Sequence, residues 1–251
     1  AQKAMFVHLL EVSSEAFFME LDGFLLEEIS VTQDSRSEAI TEQDDMFEID
    51  CSSRTACCSI AMQLLQSMCE GHNQNMQNLL RDQATIHNSK TYNLVQRTAD
   101  LVVFLAASEQ VLLNKTSRAQ LELLENSFSF LIEAVQGPNE TNQLLLARSP
   151  LLLACREISS AAFPRPLEQV HIKLKKNTML LLSSLLEGRL DMKVHHIMEE
   201  QLDIALLRNR IIRCWRVCKE NQAKDQMLFH RAHSSKNQAR ASIRSQRKAS
   251  R

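Results

Sequence analysis

An all-α fold, built as a stack of helices, is what this sequence predicts, on three observations. Only four glycines, four prolines, one tryptophan and one tyrosine occur in 251 residues. Leu, Gln, Glu, Ala and Ser are abundant, which favours helix over strand. Apolar residues recur at helical spacing in successive segments separated by short polar links. No tight sequence repeat is evident, so an irregular helical bundle stands as the alternative architecture.

Taken in order, residues 1–29 read as an N-terminal helical segment in which Phe6, Leu9, Leu10, Phe17, Leu21, Phe24 and Leu25 recur, with a break or bend near Gly23. Residues 30–53 lose that period and collect Ser, Asp, Glu and Gln, so an exposed, disordered acidic loop is expected there. Residues 54–200 form the main helical domain. Its first stripe is Ala56, Ile60, Leu64, Leu65 and Met68, ending at Gly71, and Met76, Leu79 and Leu80 begin a short second one. A polar turn over 86–90 leads to Tyr92, Val95, Leu101, Val102, Leu105 and Ala106. The cleanest stripe is Leu121, Leu124, Phe128, Leu131, Ile132 and Val135, stopped by Gly137-Pro138. Residues 140–162 give one or two shorter helices interrupted at Pro150. Leu167, Val170, Leu174, Leu181, Leu182 and Leu185 then define a long helix that halts at Gly188.

The net charge of −1 hides a strong polarity along the chain. Residues 1–50 hold 2 basic and 13 acidic residues, whereas residues 204–251 hold 13 basic and 2 acidic ones. Residues 201–233 read as a basic amphipathic helix, with Leu207, Ile211, Trp215 and Cys218 on one face and Leu228 as a distant second anchor. Such a face suits a calmodulin-like groove or an acidic membrane surface; the plain alternative is a packed helix with a solvated basic side. Residues 234–251 read as a disordered basic tail with no specific nucleic-acid signal. The start at Ala1 without an initiator methionine is consistent with a piece of a longer polypeptide.

Several function classes find no support. No apolar run approaches the roughly 20 residues needed to span a bilayer. Seven cysteines without a CxxC pair read as reduced thiols. Cys214, Cys218, His230 and His233 have poor zinc-finger spacing. Residues 34–45 lack the alternating ligands and central glycine of an EF-hand. Neither a Gly-rich phosphate loop nor a nucleophile elbow appears, and Cys69 beside His72 reads as core packing rather than as a nucleophile and base. An enzyme is not expected.

Two glutamates remain of interest. Glu70 precedes Gly71, and Glu133 lies just before Gln136 and the Gly137-Pro138 stop, so both fall in last helical turns. There the helix dipole disfavours an anion by about 0.3–1 kcal/mol, a penalty that a bound cation reverses. Glu187, beside Gly188, has the same local setting.

The run Cys69-Glu70-Gly71-His72-Asn73 followed by Gln77-Asn78-Leu79-Leu80-Arg81 resembles the CENHN and QNFLR signature of the RIH-associated domain of ryanodine and inositol trisphosphate receptors. Tyr92-Asn93-Leu94-Val95, Glu133 with Gln136-Gly137-Pro138 and Asn142-Gln143, and Ser184-Leu185-Leu186-Glu187-Gly188 resemble further motifs in the same order, over residues 56–200. Gly71 stands where the family has Asn, and Ala134 and Val135 depart from its pattern before QGP. The resemblance implies an armadillo-like, cytosolic regulatory region of a homotetrameric calcium-release channel, at the endoplasmic reticulum membrane; the alternative is a stand-alone helical scaffold or calmodulin-binding module without channel activity. It also implies that Glu70 and Glu133 are ligands of an activating Ca2+, with His72 and Gln136 orienting them. The family completes that site with a backbone carbonyl from a pore-linked segment, so in this chain the site is expected to be incomplete.

Overall fold

The computed structural model describes residues 2–11, 14–37, 45–84, 90–107, 116–161 and 168–205, together with 207–209, 212, 216 and 219. The structure is all-α, with no strand among the described residues. Among the described residues ten helices run between Gln2 and Gln201: α1 (Gln2–Glu11), α2 (Glu15–Ser37), α3 (Asp45–Cys69), α4 (Gln74–Arg81) and α5 (Leu94–Leu105), then α6 (Arg118–Val135), α7 (Glu140–Arg148), α8 (Leu151–Ser160), α9 (Glu168–Leu186) and α10 (Lys193–Gln201). The chain divides into two compact units, Ala1–Asp203 and Ile204–Arg251. In the second, Leu207 is half-buried, while Ile204 and Ile212 are exposed.

Helix α6 is the centre of the first unit. It packs most extensively on α3, then on α9 and α5. All six residues of its predicted stripe are buried, and Leu123, Phe130 and Ala134 are buried as well, so the helix is enclosed on more than one side. A capping box starts it: the Ser117 hydroxyl accepts from the Gln120 N–H, and the Gln120 side chain accepts from the Ser117 N–H. Asn73, Asn93 and Asn139 likewise cap α4, α5 and α7 by accepting from the N–H three residues on. The break at Pro150 separates α7 from α8 as the sequence suggests.

Three expectations need correction. Gly23 lies inside an unbroken α2, which starts at Glu15, just after the Ser14 carbonyl that accepts from the Phe18 N–H. The acidic loop expected over 30–53 is mostly helix, because α2 continues to Ser37 and α3 begins at Asp45. The reason is polar burial. The Thr55 hydroxyl donates to the Glu28 carboxylate at 2.9 Å, and the Gln120 amide donates to Thr32 at 3.2 Å, which ties α2, α3 and α6 through residues that carry no apolar period. Finally, the α3 stripe is displaced: Ala56, Ile60 and Leu64 are exposed, whereas Cys58, Ala61, Met62, Leu65, Met68 and Cys69 are buried.

Burial pushes the Glu28 carboxyl up, against the hydrogen bonds from Thr55 and Gln120 and the charge of Arg54. Thr55→Val removes one of those donors while conserving volume. A loss of about 1.5–3 kcal/mol is expected, the worth of a hydrogen bond to a charged group. Urea denaturation at neutral pH checks this, and an unchanged midpoint would mean that the Thr55–Glu28 bond contributes nothing.

Candidate functional site

The ends of α3, α6 and α9 are built alike, and the glycine after each is the reference point. Gly71, Gly137 and Gly188 all have left-handed backbone, with φ of 75°, 89° and 66°. One residue before them stand Glu70, Gln136 and Glu187; four before them stand Ser67, Glu133 and Ser184. In each case one glutamine amide donates to the two carbonyls at these positions. Gln2 reaches Ser67 O at 2.7 Å and Glu70 O at 3.0 Å. Gln77 reaches Glu133 O at 2.6 Å and Gln136 O at 2.9 Å. Gln143 reaches Ser184 O and Glu187 O, both at 2.9 Å. Carbonyls at the last helical turn, where intrahelical donors run out, thereby gain a side-chain donor.

The junctions between consecutive ends are equivalent too. Gln77 and Gln143 both lie six residues after a glycine, and the caps Asn73 and Asn139 lie two residues after it. The residue that follows each glycine covers the next one: the ring of His72 lies against Gly137, and that of Pro138 against Gly188. At the second junction the Gln136 amide also donates to the Ser184 hydroxyl at 3.4 Å. The corresponding pair at the first junction is Glu70 and Glu133. A structural repeat thus underlies a chain whose sequence shows no tight one. Its signature is present in fragments: Leu-Leu-x-Ser-x-x-Glu-Gly at both 64–71 and 181–188, and Gly-x-Asn-x-x-x-Gln at both 71–77 and 137–143.

Electrostatically the first junction stands apart. Glu70 is exposed and Glu133 half-buried. Burial holds the Glu133 carboxyl above the usual range; His72 opposes the shift and the Glu70 charge adds to it. Among the described residues neither carboxylate accepts a hydrogen bond from the protein. His72 has a positive φ of 60°, directly after that of Gly71, so two successive left-handed residues turn the imidazole toward α6. Cys69 is no nucleophile, because burial first and the Glu133 charge second push its thiol up to about 12.

The charges of His72 and Glu70 both act on Glu133, and Gln136 stands at the same helix end but is bonded toward Ser184. Among the described residues no three His, Cys, Asp or Glu side chains make a ready metal cluster. Two carboxylates fit part of a calcium shell, which takes about 6–8 oxygen ligands. Of the partner-binding residues expected from sequence, Leu207 is described, whereas Ile211, Trp215 and Leu228 lie outside the described residues, as do Cys214, Cys218, His230 and His233. The glutamines that organise the helix ends were missed as determinants. Among the described residues, no helix is long and apolar enough to cross a membrane.

Residues 52–159 match the family model described as RyR and IP3R Homology associated. The match contains the whole first junction and the start of the second, through Gln143; the α9 end lies beyond it. The family is one of channel receptors rather than of enzymes.

Proposed function

We propose that this RyR and IP3R Homology associated segment is the regulatory part of an intracellular calcium-release channel, and that Glu70 and Glu133 contribute carboxylates to its calcium-activation site. The observation that carries this reading is the contrast between the two junctions. Where the second is closed by a neutral Gln136–Ser184 hydrogen bond, the first has a glutamate at each equivalent position, with the charges of Glu70 and His72 both acting on Glu133. Two acceptors cannot bond each other, so the pair is suited to an oxygen-seeking cation.

On this reading Glu70 and Glu133 hold the ion, His72 keeps Glu133 in place, and Gln136 braces the turn that carries Glu133. Ca2+, when bound, neutralises the two carboxylates and draws further oxygens to the same point. An orientation of the domain that presents those oxygens gains the binding free energy, and the gating equilibrium moves toward it. The rest of the channel polypeptide is then the principal partner, in a homotetramer at the cytosolic face of the endoplasmic reticulum membrane, with calmodulin as a partner for residues 201–233.

Glu70→Gln and Glu133→Gln are each expected to shift channel activation to calcium concentrations about tenfold higher, equivalent to about 1.4 kcal/mol. Recordings of the intact channel test this, and an unchanged calcium dependence rejects the assignment. The isolated chain should bind calcium only in the millimolar range, near −4 kcal/mol.

A further inference from the structure

We infer that Gln77 is a positioning residue for this site: its side-chain amide fixes the last turn of α6 and so sets where Glu133 stands relative to Glu70 and His72. The inference rests on the proposed calcium role of the two glutamates and adds a residue that touches neither the ion nor a carboxylate.

Gln77 is fully buried, and all of its polar capacity is used. Its amide nitrogen donates to the Glu133 and Gln136 carbonyls, and its oxygen accepts from the Asn139 amide at 3.1 Å. It sits on α4, whose cap, Asn73, directly follows His72. One short helix therefore joins the turn that carries Glu70 and His72 to the turn that carries Glu133. Gln74 strengthens the link by donating to the Gly137 carbonyl at 2.8 Å. The Glu133 residue that presents the carboxylate is also the one whose carbonyl Gln77 holds, so loss of the amide frees the backbone beneath that side chain.

The repeat supplies a control within the same molecule. Gln143 is equally buried, grips Ser184 and Glu187 in the same way, and has its oxygen bonded by Arg189 at 3.3 Å. The turn that it holds carries neither Glu70 nor Glu133. A purely structural role predicts like effects from the two glutamines; a positioning role predicts different ones.

The test uses Gln77→Met and Gln143→Met in the full chain, since methionine keeps the length and apolar stem while removing both donors. Calcium alone is the probe, titrated by NMR, with amide hydrogen exchange measured on the same samples. Gln77→Met is expected to weaken calcium binding about tenfold and to speed exchange at the Gln136 and Asn139 amides, which bond to Ile132 O and Val135 O. Gln143→Met should leave both readouts within about twofold of wild type. Equal weakening by the two variants, or none by Gln77→Met, overturns the inference. If the wild-type chain and the glutamate variants show no calcium response, the calcium reading falls, and exchange alone decides: selective loss of protection in Gln77→Met sustains the positioning role and its absence ends it. Should Gln77→Met not fold, Gln77→Asn, which keeps the donors but shortens their reach, is measured against the same criteria.

Discussion

Gly137→Ala should cost this chain about 2–5 kcal/mol of stability, well above the cost of Gly71→Ala. Gly137 has φ of 89°, and an L side chain in the left-handed region costs about 1–2 kcal/mol before any contact is considered. The added carbon also runs into Cβ of His72, with His72 Cγ at 2.9 Å and His72 Cα at 3.4 Å. Cα and Cβ are fixed by a backbone that is itself left-handed, so a change of rotamer moves only Cγ aside. Overpacking of this kind adds about 1–3 kcal/mol. The internal comparison is Gly71→Ala, where φ is 75° but nothing lies within 4 Å of the new carbon, so that only the conformational cost applies. Thermal melts of the two variants should differ by roughly 2–4 °C for each kcal/mol that separates them. Equal melting temperatures would show that His72 does not press on Gly137. Because His72 must retreat from α6 in Gly137→Ala, the same variant should lose calcium binding, while Gly71→Ala should retain most of it.

The double change Glu70→Gln/Glu133→Ser rewrites the first junction in the residues of the second. A Gln–Ser pair there can close by one neutral hydrogen bond, as Gln136 and Ser184 do at 3.4 Å. The wild-type chain should be stabilised by calcium by about 1.4 kcal/mol at ten times its dissociation constant, and the double variant not at all. Without calcium at neutral pH the variant should be slightly the more stable, by about 0.5 kcal/mol, since solvent screens a half-exposed pair of like charges. The sign with pH follows from Glu133, whose folded-state carboxyl titrates above its unfolded value. Its contribution to stability is fully present below the unfolded value and is lost as pH rises through the folded one. The advantage of the variant should therefore be greatest at neutral pH and vanish toward pH 4, where the carboxyl is protonated in both states. Melts across that range, with and without calcium, separate this account from one in which the glutamates are solvated bystanders.

What could be read from the sequence was whatever apolar periodicity and helix stops encode. The α6 stripe from Leu121 to Val135 is wholly buried, and helix-ending positions at Gly71, Gly137-Pro138 and Gly188 stand where they were expected. Glu70, His72 and Glu133 were legible only through resemblance, because a glutamate in a last turn is common and Glu187 shares that setting. Periodicity failed where polar residues are the buried ones. Glu28, Thr32 and Thr55 face inward and Ile60 faces out, so a count of apolar positions rotates α3 to the wrong side and dissolves the helix that flanks it. The glutamine grips were invisible for a related reason. Gln77 and Gln143 look like surface residues of short polar helices, and only the carbonyls that they find sixty or forty residues downstream explain why both are buried.

The grips all point the same way along the chain. Gln2 secures the end of α3, Gln77 that of α6 and Gln143 that of α9, so each completed end is held from an earlier segment. The series then stops, because the residue six places after Gly188 is the buried Val194, which has no amide to offer. Damage should accordingly be vectorial. A fault introduced early loosens the next helix end, and with it the loop that launches the following grip, whereas a fault at Gln143 loosens the α9 end and has no following grip to disturb. In such a relay the order of assembly is written in one direction, and the carboxylate pair sits near its beginning, where a small change of posture has the most structure left to move.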